Sequence, residues 1–138
     1  MPHRLPQGEL ARMEVFYIDD SGDDVFFLSY QARKQSRFDP VVTFVDGEDA
    51  LEVLRNRIAT GQPLPGIIVV DLYLPGLDGS DLLRAISALD TDEKIFFAVC
   101  SGSSFSEDEA RCRDAGAAAF FEKPLDLAQL AKAYEQWT

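Results

Sequence analysis

Asp19, Asp20, Asp71, Ser101 and Lys123 share one property: each stands at or just beyond the end of a short apolar run. Carboxylates are nucleophiles and ligands for hard cations, but several in one crevice repel, and they are costly to desolvate unless an opposite charge relieves them. Oxygen ligands with positions left for water and phosphate suit Mg²⁺. A lysine can balance charge on a transferred group, and a serine hydroxyl can bond a phosphoryl oxygen. Together the set matches phosphoryl transfer to a carboxylate, with a nucleophile, a metal, a cation and a hydrogen-bond donor. Singly, each residue has a plainer reading. Asp19 and Asp20 could cap a helix, Asp71 precedes the turn signal Leu74-Pro75-Gly76, Ser101 could cap or turn, and Lys123 could be solvated.

Whether the five residues meet depends on the elements that carry them. The apolar runs are Val15–Ile18, Val41–Val45, Ile67–Val70, Ile95–Val99 and Ala118–Phe121, rich in β-branched and aromatic residues. They are continuous rather than alternating, the pattern of strands covered on both faces. Between or after them, apolar residues recur every three or four positions: Val25, Leu28 and Ala32; Leu51, Leu54 and Ile58; Leu82, Ile86 and Leu89; Leu127, Leu130 and Tyr134. Ser21-x-x-Asp24, Asp46-x-x-Asp49 and Ser106-x-x-Glu109 supply helix-start signals. A helix over roughly 106–115 has only Ala110, Cys112 and Ala115 to bury, which predicts a lightly anchored element.

Strict alternation of five strands with five helices implies an α/β fold, a doubly wound parallel sheet with right-handed crossovers. In the flavodoxin-like order 2-1-3-4-5 the first and third strands are neighbours, bringing Asp19 and Asp20 beside Asp71 at the carboxyl edge, where such sheets bind ligands.

The chain has 138 residues, enough for one core, read as a domain over 13–138 behind an extension over 1–12. With 13 basic against 24 acidic side chains, the net charge of −11 disfavours direct contact with nucleic acid or an anionic membrane. No apolar run approaches the roughly 18 residues of a membrane span. The two cysteines, Cys100 and Cys112, fit neither a redox pair nor a zinc site, and a reducing, cytoplasmic setting is expected.

Four segments carry a family resemblance: Ile18-Asp19-Asp20; Val70-Asp71-Leu72-Tyr73-Leu74-Pro75-Gly76-Leu77-Asp78-Gly79; Cys100-Ser101-Gly102; and Ala115-Gly116-Ala117 leading to Phe121-Glu122-Lys123-Pro124. From Val15 to Trp137 the chain resembles the response-regulator receiver family of two-component signalling. The resemblance implies that Asp71 is the phosphoacceptor. Asp20 and Asp71 would bind Mg²⁺ through carboxylates, Tyr73 through its main-chain carbonyl, and Asp19 mainly through water on the ion. Ser101 would be the switch hydroxyl, Phe120 the switch aromatic, and Lys123 the partner of the acylphosphate. A cis bond is expected before Pro124, and structural roles for Asp78 and Gly79. Phe120 lacks the hydroxyl of the tyrosine usual there, so its motion would rest on packing. Tyr73 is bulky where it borders the site, able to shield an acylphosphate or to obstruct donors.

By the same resemblance the phosphoryl donor is a sensor histidine kinase or a histidine phosphotransfer protein. Ser21 to Leu28 is similar to single-domain regulators, some serving phytochrome-type kinases. The chain reaches Thr138 without an output module, so a stand-alone regulator is expected, signalling by protein contact or onward phosphotransfer through the fourth helix, fifth strand and fifth helix. A second copy of the chain is a further candidate partner. A haloacid-dehalogenase-type hydrolase would carry an aspartate where Tyr73 stands. A flavodoxin needs a phosphate loop in place of the acidic Asp19-Asp20-Ser21-Gly22. A receiver-like protein that binds partners without phosphorylation would not need the full set.

Overall fold

The computed structural model describes residues 13–74, 77–102 and 106–138. Five strands, β1 (Met13–Ile18), β2 (Phe38–Phe44), β3 (Ile67–Asp71), β4 (Phe96–Ser101) and β5 (Ala119–Glu122), form one sheet in the order β2-β1-β3-β4-β5. All its pairings are parallel. The helices are α1 (Gly22–Ala32), α2 (Gly47–Ala59), α3 (Gly79–Ser87), α4 (Ser106–Asp114) and α5 (Leu127–Trp137). Between β3 and α3, Tyr73–Leu74 pairs antiparallel with Leu77–Asp78 in a two-residue ladder.

Alternate residues of the central strands feed two cores, as the pleat requires. Phe16, Ile18, Ile68, Val70 and Val99 pack with Leu51 and Leu54 of α2, Leu82, Leu83 and Ile86 of α3, and Cys112 of α4. Val15, Tyr17, Ile67, Val69 and Cys100 pack with Leu28 of α1 and Leu127 and Leu130 of α5. All five residues of β3 are buried, so the strand that ends in Asp71 is held from both sides. Cys100 and Cys112 are free thiols in different cores, where burial pushes them up to about 12 and about 11 respectively.

Four helices start from side-chain caps. Ser21 Oγ accepts from the Asp24 amide at 3.4 Å, Asp46 from Glu48 at 2.9 Å, Asp78 from Ser80 at 2.7 Å and Asp126 from Ala128 at 2.8 Å. These bonds satisfy amides that have no partner within the helix. Ser106, expected as a cap, is instead the first residue of α4, and the position before it lies outside the described residues. Ala110, expected to be buried, is exposed, while Cys112 and Ala115 carry the contact of this segment with the core.

The strand limits differ from those expected at both ends: β1 starts at Met13 rather than Val15, and β2 ends at Phe44 rather than Val45. β2 begins at Phe38 and runs through Pro40; it is an edge strand paired only with β1, where a missing amide is tolerated. β3, β4 and β5 each run one or two residues further than their apolar runs, into Asp71, Ser101 and Glu122. The peptide bonds before Pro40 and Pro124 are cis, the second as expected. Gly116, with φ at +116°, turns the chain out of α4 in a region open to glycine.

Gly79 ties α3 to the end of β3. A Cβ there would lie 2.5 Å from the Asp71 carbonyl oxygen and 2.8 Å from Leu72 Cα, both backbone atoms with little freedom to yield. Gly79→Ala is therefore expected to lower the unfolding free energy by about 2–4 kcal/mol, measured by urea denaturation.

Candidate functional site

The carboxyl edge of the sheet gathers residues from the ends of β1, β3, β4 and β5 and from the start of α1. Asp19 and Ser101 are fully buried, Asp71 is 4% exposed, and Asp20 faces solvent. One carboxylate oxygen from each of Asp19, Asp20 and Asp71 lies within 4.8 Å of the others. An all-oxygen set at this spacing suits a hard divalent cation. Lys123 Nζ stands 3.0 Å from Asp19 Oδ2, 3.2 Å from Asp71 Oδ2 and 2.9 Å from Asp24 Oδ2. An ammonium has three N–H donors, and three carboxylates are in reach of them.

Backbone bonds fix this geometry. The Lys123 amide donates to the Ser101 carbonyl at 2.8 Å, locking the turn after β5 to the end of β4. The Leu72 amide donates to Cys100 at 3.0 Å, and the Gly79 amide returns to the Leu72 carbonyl at 2.7 Å. The Tyr73 amide donates to Asp71 Oδ1 at 3.2 Å, which leaves Asp71 Oδ2 on the lysine side.

The two buried carboxylates are held differently. Burial raises Asp19, but donation from the Tyr17 hydroxyl, the Ser21 amide and Lys123 outweighs it and leaves the group below its usual value. Asp71 is pushed up to about 6, first by burial and then by the negative charge of Asp19; the Tyr73 amide and Lys123 offset only part of this. Burial alone would lower Lys123, yet its bonds to Asp24 and Asp19 raise it, so it remains an ammonium.

The residues expected from sequence thus converge: Asp19, Asp20, Asp71 and Lys123 meet directly, and Ser101 ends the strand beside Asp71, with Asp71 in register with Cys100. Phe120 is half-buried in β5 against the core under α2, α3 and α4, in register with Val99. Tyr73 projects into solvent, 54% exposed, and its hydroxyl donates to Asp108 Oδ2 of α4 at 2.7 Å. Arg111 then lies 3.3 Å from both Asp108 and Asp78. Asp78 caps α3, and Gly79 fits tightly against the Asp71 backbone. Pro75 and Gly76 lie outside the described residues.

Two contributors escape the sequence reading. Asp24 registers there only as a favourable helix-start residue; its partner is 99 positions away, and no local pattern announces it. Tyr17 registers only as one more residue of an apolar run. Its hydroxyl donates to Asp19 Oδ2 at 2.6 Å, and the two-residue spacing that puts both on one face of β1 is a usable signal.

Comparison with known proteins places the chain in a family. Residues 15–135 match the family model of the response regulator receiver domain, and the chain belongs to that family. It is 35% identical over 116 residues to the transcriptional regulatory protein PrrA of Mycobacterium tuberculosis, covering 84% of this chain but only 46% of PrrA. The chain thus spans about half the length of that relative. It is 30% identical to the probable methanogenesis regulatory protein FilR2 of Methanothrix harundinacea, over 99% of this chain and 90% of FilR2. The receiver domain of a sensor histidine kinase from Pseudomonas aeruginosa, solved with a magnesium ion coordinated in its active-site cleft, superposes with a TM-score of 0.73. It is 21% identical and covers 91% of this chain and 96% of that one. Receivers of this family accept a phosphoryl group on aspartate. Among the described residues no helix is long and apolar enough to cross a membrane.

The raised Asp71 has a measurable consequence. Between pH 3.8 and about 6 the folded state binds the Asp71 proton while the unfolded state has released it, so stability falls as pH rises through that window. Above it the cost is fully present. In EDTA at pH 8, Asp71→Asn should therefore stabilise the protein by on the order of 1–3 kcal/mol in urea denaturation, with the gain shrinking as pH is lowered toward 4.

Proposed function

We propose that Asp71 of this chain takes a phosphoryl group from a phosphohistidine of a sensor kinase or histidine phosphotransfer protein, in a Mg²⁺-dependent reaction. The observation that carries this is the placement of Lys123 Nζ between Asp71 and Asp19, with a third carboxylate, Asp20, in reach of a shared ion. Asp20 and Asp71, with the Tyr73 carbonyl, would hold the ion, and Asp19 would orient its water. Bound there, Mg²⁺ would neutralise negative charge on the phosphoryl oxygens.

Asp71 is the nucleophile, and its Oδ2 faces the lysine. In an in-line displacement the new P–O bond forms as the P–N bond to the donor imidazole breaks, and the imidazole leaves with the bonding pair. Lys123 neutralises charge on the transferred oxygens. Ser101, at the end of the neighbouring strand, supplies a hydroxyl to the phosphoryl group, and Phe120 repacks against the core beneath α4. These residues also serve hydrolysis of the acylphosphate, so the chain resets itself.

The output we assign is protein contact or onward phosphotransfer through α4, β5 and α5, from a receiver spanning 13–138 that acts alone in the cytoplasm, with self-association as a further route. The relative FilR2, matched over 90% of its length, supports a regulator of this size. The net charge of −11 supports a protein rather than a nucleic-acid target.

Incubation with acetyl phosphate and Mg²⁺ is expected to give a single phosphate adduct by intact mass. EDTA should abolish it, and Asp71→Asn should remove it while leaving the fold intact by circular dichroism. An undiminished adduct in Asp71→Asn would show that another residue is the acceptor.

A further inference from the structure

Phosphoryl transfer engages Asp19, Asp20, Asp71, Ser101 and Lys123 but leaves a buried phenol beside them without a task. Tyr17 is 1% exposed, its ring in the core under α1 and α5, and its hydroxyl is 2.6 Å from Asp19 Oδ2. Asp19 is fully buried and has three donors within reach. The Ser21 amide serves Oδ1 at 2.9 Å, while Tyr17 and Lys123 both serve Oδ2. Lys123 is shared with Asp24 and Asp71, whereas Tyr17 has a single hydroxyl hydrogen and gives it to Asp19. A leucine or valine at this place in the run would supply apolar packing but no donor.

We propose that Tyr17 is a positioning residue that carries Asp19 while the site holds no cation, keeping the acidic cup assembled until Mg²⁺ enters. The inference rests on the reading of the cup as a Mg²⁺ site. A neutral hydroxyl bonds a carboxylate more strongly the less that carboxylate's charge is compensated. In the cation-free protein the charge of Asp19 is opposed, among the described residues, by a shared ammonium and by the dipoles of the Tyr17 hydroxyl and the Ser21 amide. With a divalent cation in the cup the same charge is largely offset, and the phenol bond is worth less. The bond therefore stabilises the cation-free form more than the loaded one, and by linkage it weakens cation binding by the difference.

Tyr17→Phe removes the hydroxyl and keeps the ring, and thermal unfolding during a MgCl₂ titration reads the effect directly. The variant should melt below wild type in EDTA and recover most of the loss at saturating Mg²⁺. Its titration midpoint should fall roughly three- to tenfold. In an Asp19→Asn background the same change should leave the midpoint where it is. A loss of melting temperature that is equal with and without Mg²⁺, a midpoint unchanged or raised, or a variant that fails to fold even in saturating Mg²⁺ would each assign Tyr17 to packing alone. Wild type that gives no Mg²⁺ response would instead remove the cation reading on which the inference stands.

Discussion

Everything at the carboxyl edge of this sheet is organised around one ammonium group among carboxylates. Lys123 reaches Asp19, Asp24 and Asp71 at 2.9–3.2 Å, and so joins the turn after β5 to the end of β1, the first turn of α1 and the end of β3. Ionised carboxylates buried in one crevice are costly unless a cation or a proton relieves them. One positive charge does not neutralise three negative ones, and the remainder falls on Asp71, the less well donated of the two buried acids. The group expected to take the phosphoryl is thus also the one of the two buried carboxylates whose charge the fold tolerates less. A dense parallel core beneath, with β3 buried throughout, keeps these side chains from separating to relieve the strain of like charges.

The sequence disclosed the architecture because its signals are local. Continuous apolar runs mark strands covered on both faces, and the three-to-four spacing of Leu51, Leu54 and Ile58, or of Leu82, Ile86 and Leu89, marks helices between them. The apolar runs stop one or two residues short of the strand ends at β3, β4 and β5, and for a physical reason. Apolarity stops where the site begins, but the backbone ladder continues: Asp71 pairs with Cys100 and Ser101 with Glu122. Polar residues at a functional edge are in extended structure for the sake of position rather than burial, so a hydrophobic pattern alone misses them. Pro40 hides the start of β2 in the same way, since a proline argues against a strand until the strand is known to be an edge.

Within the site, legibility depends on sequence distance. Asp19, Asp20, Asp71, Ser101 and Lys123 are found by looking just past the end of each apolar run. The ion pair between Asp24 and Lys123 is not, because its partners belong to opposite ends of the chain and Asp24 already has a sufficient local explanation in the start of α1. Tyr17 lies between these cases. Its burial is legible, but the aim of its hydroxyl depends on the pleat that places it beside Asp19. Ala110, apolar and so expected inside, is outside because α4 turns Cys112 to the core instead.

The hydroxyl of Tyr73 closes a short mechanical circuit. Two residues beyond Asp71 the chain is fastened to Asp108 of α4, and Arg111 on the next turn of that helix reaches back to Asp78, the cap of α3. Main chain next to Asp71 and the surface of α4 are therefore separated by a single side chain. A shift of the main chain beside Asp71 bears on this 2.7 Å contact, which gives it a route to α4 along the surface rather than through the hydrophobic interior.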